Sequence, residues 1–172
     1  MGCDKALLPF RGGRLVEWVA RAVGQAAGSV VLVGEPRRYE HLGYPAIADL
    51  YPGAGPLGGI LTALHHTSAD WNVVAACDMP GLSAEFLGLL LDAAERTAAD
   101  ALAPAGPSGH PEPLCAVYHR HSRRALERAL GRGVRSVRAA LEDLRAAIVS
   151  VPELTPFQNV NTPEDWAGYA AK

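Results

Sequence analysis

The sequence predicts an α/β fold built on a mostly parallel sheet. Two observations carry this. Short apolar, β-branched runs alternate along the chain with longer stretches of helical period, separated by Gly- and Pro-rich turns. The run over residues 29–34 is continuously apolar rather than alternating, which suits a parallel strand covered on both faces, and residues 72–77 are a second, β-branched run.

The elements follow in order. Residues 15–26 place Leu15, Trp18, Val19, Ala22 and Val23 on one helical face, and Gly28 ends that helix. Residues 29–34 form a strand, and residues 44–49 a second short one. Pro56 opens a helix over 56–66, because its fixed φ is preorganised for a first helical turn. Residues 72–77 are a β-branched strand that ends at Asp78-Met79-Pro80. Ser83 caps the next helix, whose buried stripe is Phe86, Leu87, Leu90 and Leu91. Residues 100–104 and 114–118 read as further strands. Helices over 120–130 and 134–144 are joined through Gly131 and Gly133, and residues 147–151 form a last strand. A helix over 162–171, capped by Thr162 with Pro163 in its first turn, closes the chain.

The 172 residues fit one domain over 1–172. Apolar residues make up 49% and charged residues 20%, with mean hydropathy +0.05, which is globular rather than disordered. No apolar run approaches the roughly 20 residues that span a bilayer, and residues 1–5 lack the pattern of a signal peptide. A formal net charge of −2 gives no electrostatic case for nucleic acid or an anionic membrane as partner. Cys3, Cys77 and Cys115 are widely spaced with no C-x-x-C, which reads as reduced and cytoplasmic. His65 and His66 are adjacent and cannot share a helix face; His119 and His121 can share a strand face, but no cysteine or acid completes a zinc set.

Ligands of such folds sit beyond the carboxyl ends of the strands. Asp49, the glycine loop 53–59 and Asp78 all lie there. Gly53-Ala54-Gly55-Pro56-Leu57-Gly58 matches G-x-G-x-x-G, and Asp78 falls 20 residues after Gly58, where a ribose-binding acid sits in dinucleotide enzymes. The mechanics argue against that reading. Leu50-Tyr51-Pro52 separate the loop from its strand, and Pro56 removes an N–H from any pyrophosphate cradle. Asp78 has two readings: a turn cap, or a ligand for magnesium, which one carboxylate and substrate phosphates suffice to hold. Asp49 has the same two. Lys5 and Lys172 are the only lysines beside fourteen arginines, so Lys5 is either a solvated terminal side chain or a compact ammonium kept for phosphates.

Four segments, in order, resemble one known family. They are Met1-Gly2-Cys3-Asp4-Lys5-Ala6-Leu7-Leu8, Gly55-Pro56-Leu57-Gly58-Gly59-Ile60, Cys77-Asp78-Met79-Pro80 and Asn159-Val160-Asn161-Thr162-Pro163-Glu164-Asp165. The family is the molybdenum cofactor guanylyltransferases, and the resemblance spans essentially the whole chain. It implies a three-layer, doubly wound, Rossmann-like fold of the nucleotide-diphospho-sugar transferase type. It implies transfer of GMP from GTP to molybdenum-molybdopterin, with release of pyrophosphate and with Mg²⁺ as cofactor. Molybdoenzyme-maturation proteins are the partners it suggests. In this resemblance Gly2 belongs to the nucleotide-binding set and Lys5 neutralises the triphosphate. Asp49 contacts the guanosine portion and Asp78 holds Mg²⁺. Gly55, Pro56 and Leu57 shape the nucleotide pocket by close backbone approach, and Asn159 and Asn161 lie toward the pterin.

A sister family transfers CMP, with a G-M-S-S-type segment at the glycine loop and G-D-Q-P at the strand end; both differences favour guanine here. Sugar-phosphate nucleotidyltransferases share the fold but usually lack the Asn-Val-Asn-Thr-Pro ending. Val33 stands where some members carry a polar residue. The family begins with an apolar strand and a glycine-rich phosphate loop ahead of the Met-Gly pair, so the resemblance implies a first central strand and most of that loop absent from this sequence, with a native start upstream of Met1. A non-catalytic remnant lacking the phosphate loop is the reading that competes with an enzyme.

Overall fold

Residues 5–152 are described by the structure, a computed structural model. After a 3-10 turn over Lys5–Leu7, a hairpin joins β1 (Pro9–Phe10) to β2 (Gly13–Arg14) and feeds into α1 (Leu15–Ala27). Then come β3 (Leu32–Val33), the short α2 (Pro36–Tyr39), β4 (Ala46–Ile47), α3 (Pro56–His66), β5 (Trp71–Ala75) and α4 (Ala84–Glu95). The described chain ends with β6 (Ala101–Ala105), β7 (Cys115–His119), α5 (Arg123–Gly131), α6 (Val137–Leu141) and β8 (Ala146–Ser150). The helix expected over 162–171 lies outside the described residues. Among the described residues no helix is long and apolar enough to cross a membrane.

Four strands form one sheet in the order β5-β7-β6-β8, and β3 pairs with β4 in parallel as a separate ribbon. β6 and β8 run parallel, but β7 is antiparallel to both β5 and β6. β5, β6 and β8 therefore share one direction, so the sheet is mostly parallel as expected, with β7 as its one reversed strand among the described residues. The connection explains this. Residues 106–114, rich in Gly and Pro, hold no helix, and a parallel return needs a crossover of about a dozen residues or more.

Helices cover both faces of this sheet, giving three layers. Alternation along the strands divides the core cleanly. Ala101, Ala103, Ala116 and Tyr118 face Leu57, Ile60, Leu61, Leu126 and Ala140 of α3, α5 and α6. Leu102, Cys115 and Val117 face Val19, Ala22, Leu87 and Leu90 of α1 and α4. With helices on both faces, β6 and β7 are the most buried strands among the described residues.

β3 and β5 are less protected, and every residue of both is only half-buried. Their facing edges line one groove of about 460 Å³, closed above and below by α1 and α3. In β5 the Ala76 N–H bonds the Leu114 carbonyl at 2.8 Å, so by alternation Val73 and Ala75 turn their backbone groups away from β7 and into that groove.

Candidate functional site

The strand end that presents Asp78 is pinned from below. Met79 is fully buried against α1 and α4, and the Leu82 N–H bonds its carbonyl at 3.3 Å. Asp78 is thereby held just past β5 on the rim of the groove, and among the described residues it is the only charged side chain in the groove wall. Its carboxylate is half-buried and makes no hydrogen bond or ion pair among the described residues. It caps no turn there. An unpaired acid at an apolar wall is a poor structural element and a good place for a cation.

The glycine loop reaches the same groove from the other side. Gly55 has φ +66° and ψ −155°, a conformation that essentially only glycine adopts, and it hands the chain to Pro56 at the first position of α3. Pro56, Gly59, Ile60 and Ala63 form the face of α3 that lines the groove. Leu57 is fully buried in the core, so it offers the site backbone only. Gly58 packs so closely on the preceding turn that a Cβ would lie 2.9 Å from the Tyr51 carbonyl oxygen and 2.9 Å from the Ala54 Cβ. The amides of Gly58 and Gly59 both turn toward the Gly55 carbonyl, at 3.0 and 3.4 Å, and Pro56 has none. That leaves too few free N–H groups for a dinucleotide pyrophosphate cradle, and the G-x-G-x-x-G match is a packing motif here.

Lys5 is half-buried in the 3-10 turn, and its neighbour Ala6 lines the groove. Asp49 sits elsewhere. Its Oδ1 accepts from the Tyr51 N–H at 2.9 Å and from the Thr62 hydroxyl at 2.9 Å, while Thr62 Oγ1 accepts from the Leu50 N–H at 3.0 Å. Thr62 lies about 120° around α3 from the groove-lining face, and Asp49 is not among the groove residues. The structure thus joins Asp78, Pro56 and the turn bearing Lys5 at one groove, and ties Asp49 to the buried side of the loop that precedes α3. Gly2, Asn159 and Asn161 lie outside the described residues. Thr62, buried to 1% exposure, and Tyr51 were not legible as partners of Asp49, because a threonine within an apolar helix reads as core.

Among the described residues no three His, Cys, Asp or Glu side chains gather to hold a metal. One hard carboxylate with no competing partner still suits Mg²⁺, which is bound by one or two carboxylates together with substrate phosphates.

The MobA-like NTP transferase domain matches residues 1–146. A protein named probable molybdenum cofactor guanylyltransferase, from a Nostoc species, is 35% identical over 97% of this chain and 83% of its own length. One of the same name from Methanothermobacter thermautotrophicus is 35% identical over 96% of this chain and 90% of its own. The crystal structure of molybdopterin-guanine dinucleotide biosynthesis protein A from Archaeoglobus fulgidus superposes with TM-score 0.83 at 33% identity, covering 99% of this chain and 90% of that one. Thermus thermophilus 2-C-methyl-D-erythritol 4-phosphate cytidylyltransferase shares the fold, with TM-score 0.73 at 22% identity over 97% of this chain and 92% of that one. The chain belongs to the MobA-like NTP transferase domain family, and its chemistry is nucleotidyl transfer.

Proposed function

We propose that the protein transfers GMP from GTP to molybdenum-molybdopterin, giving the guanine dinucleotide cofactor and pyrophosphate. The observation that carries this reading is the unpartnered Asp78 carboxylate on the rim of an apolar groove opposite the start of α3. The names of the relatives at 35% and 33% identity supply the substrate class.

In the proposed reaction a terminal phosphate oxygen of the pterin attacks the α-phosphorus of GTP. A new P–O bond forms, the bond from the α-phosphorus to the bridging oxygen breaks, and pyrophosphate leaves with the electron pair. Asp78 would hold Mg²⁺, which when bound neutralises charge on the phosphate oxygens. Ala6 of the Lys5–Leu7 turn lines the groove, and in this reading the Lys5 ammonium offsets charge on the triphosphate. The exposed Gly55-Pro56 corner lets the nucleotide approach backbone without meeting a side chain at Gly55. These residues position the reactants and stabilise charge, which is most of what phosphoryl transfer asks of a protein.

Turnover with each nucleoside triphosphate and molybdenum-loaded molybdopterin tests the reading. GTP alone supports product formation, and Asp78→Ala lowers the rate by about 10²–10³ and abolishes Mg²⁺-dependent GTP binding. Preference for CTP would place the protein with the cytidylyl-transferring sister family. Absence of any triphosphate binding would leave the non-catalytic reading.

A further inference from the structure

Away from the groove, the opposite end of α3 meets the start of α5 around a second cavity of about 400 Å³. No residue lines both. Among the described residues its wall holds Arg120, Arg123, Arg124, His65 and His121, and no carboxylate. Acids outside this lining pair with four of these side chains. Asp70 holds Arg120 at 2.8 Å, and Asp100 holds His121 at 2.8 Å. Glu127 takes His65 Nε2 at 2.7 Å and lies 3.8 Å from Arg123 Nε. Arg123 approaches His65 Nδ1 at 3.0 Å; a guanidinium can only donate, so His65 accepts at Nδ1 and donates from Nε2 toward Glu127.

Arg124 has no partner among the described residues. It also lies with Arg123 in the first turn of α5, which carries no acid. Cations at that end oppose the helix dipole, so this arrangement works against the helix's own stability. Ser122, the residue before α5, does not line the cavity; it is 1% exposed, and its hydroxyl has no hydrogen-bond partner among the described residues. Three guanidinium groups around a cavity of small-ligand size, one of them unpaired among the described residues, are the chemistry that receives a tetrahedral oxyanion.

We propose that the cavity between the end of α3 and the start of α5 binds the phosphate group of a small ligand, held by Arg120, Arg123 and Arg124. The site is independent of the nucleotidyl-transfer groove. It touches the neighbouring loop through His65, whose Nε2 lies 2.9 Å from the Tyr51 hydroxyl.

The test is titration of the intact chain with inorganic phosphate and then pyrophosphate at constant ionic strength, read from the imidazole resonances of the histidines. His65 and His121 shift saturably, with half-saturation below roughly 10 mM, while His41 and His110 do not. Arg120→Ala combined with Arg124→Ala weakens binding at least about tenfold, and Lys5→Ala leaves it unchanged. Should the double variant fold poorly, Arg124→Gln breaks no hydrogen bond or ion pair among the described residues and still weakens phosphate binding several-fold. Shifts reproduced by sodium chloride, equal affinity in the arginine variants, or loss of binding in Lys5→Ala each overturn the proposal.

Discussion

Asp100 shows how one side chain can organise several elements. Its two oxygens take the Arg145 backbone N–H at 3.0 Å, Arg145 Nη2 at 2.9 Å and His121 Nε2 at 2.8 Å. The Arg145 guanidinium does most to hold the carboxyl well below the usual range, against a partial loss of hydration that pushes the other way; the Arg145 amide and His121 add to the lowering. The folded-state pKa is depressed, so the contact stabilises the fold above the unfolded value near 3.9 and is lost as pH falls through the folded value. Thermal melts from pH 6 to pH 2 should show an acid-side drop in Tm below about pH 4 that is shallower in Asp100→Asn, which is also less stable than the parent at pH 7. An unchanged acid limb in that variant would exclude Asp100 as its source. The sequence placed Asp100 only as the first residue of a strand, because its partners are remote in the chain. Asp78 was legible for the opposite reason: its signal is local, an acid closing an apolar run. Asp49 was legible as a strand-end acid, but its hydrogen bond to Thr62 was not.

At the scale of elements, the ends that were read correctly are those fixed by local backbone chemistry. Gly28 caps α1 at φ 76°, Pro56 starts α3, and the Ser83 hydroxyl accepts from the Phe86 N–H at 3.1 Å. Where the signal was weak the element shrank. The helix expected over 134–144 is only Val137–Leu141, because Gly133 at φ 88° ends the previous turn and Ser136 caps the new start. The β1–β2 hairpin went unread, since its turn places Arg11 at φ 45° where Asn or Asp is usual. Arg11 is held there over the Trp18 ring, 4.7 Å from its centroid. At the junction of the glycine loop with α3, Gly58 leaves no room for a side chain. Gly58→Ala forces the Tyr51 carbonyl or the Ala54 methyl to move, and should cost about 1–3 kcal/mol in urea unfolding. Gly59→Ala, with nothing within 4 Å of the added methyl, is the control and should not destabilise α3. Equal effects of the two substitutions would mean that helix propensity, not packing, governs this junction.

The molecule as a whole is divided by the groove between its parallel ribbon and its mixed sheet. On the sheet side, β7 and β6 are sealed by helices on both faces, and burial pushes the Cys115 thiol up to about 12, with Glu112 adding to the shift. Cys77, half-buried, lies in the groove wall beside Asp78. On the ribbon side, the Leu32 N–H bonds the Pro45 carbonyl at 2.8 Å and the Gly34 N–H bonds the Ile47 carbonyl at 2.9 Å, so Val33 turns its amide away from β4. Periodicity identified these strands but carried no information on their direction or neighbours, which is why neither the reversal of β7 nor the separate β3–β4 ribbon was legible. The division has a measurable consequence in native-state hydrogen exchange. Within β5, the Val74 amide points at β7 and the Val73 and Ala75 amides point into the groove. All three belong to one short strand, so global unfolding exposes them equally. Only local protection separates them. Val73 and Ala75 should therefore exchange at least about tenfold faster than Val74, and Val33 should exchange with the fast set. Equal protection of the four amides would mean that the two strand edges are covered in solution, and that the groove is not open to a nucleotide's approach along its length.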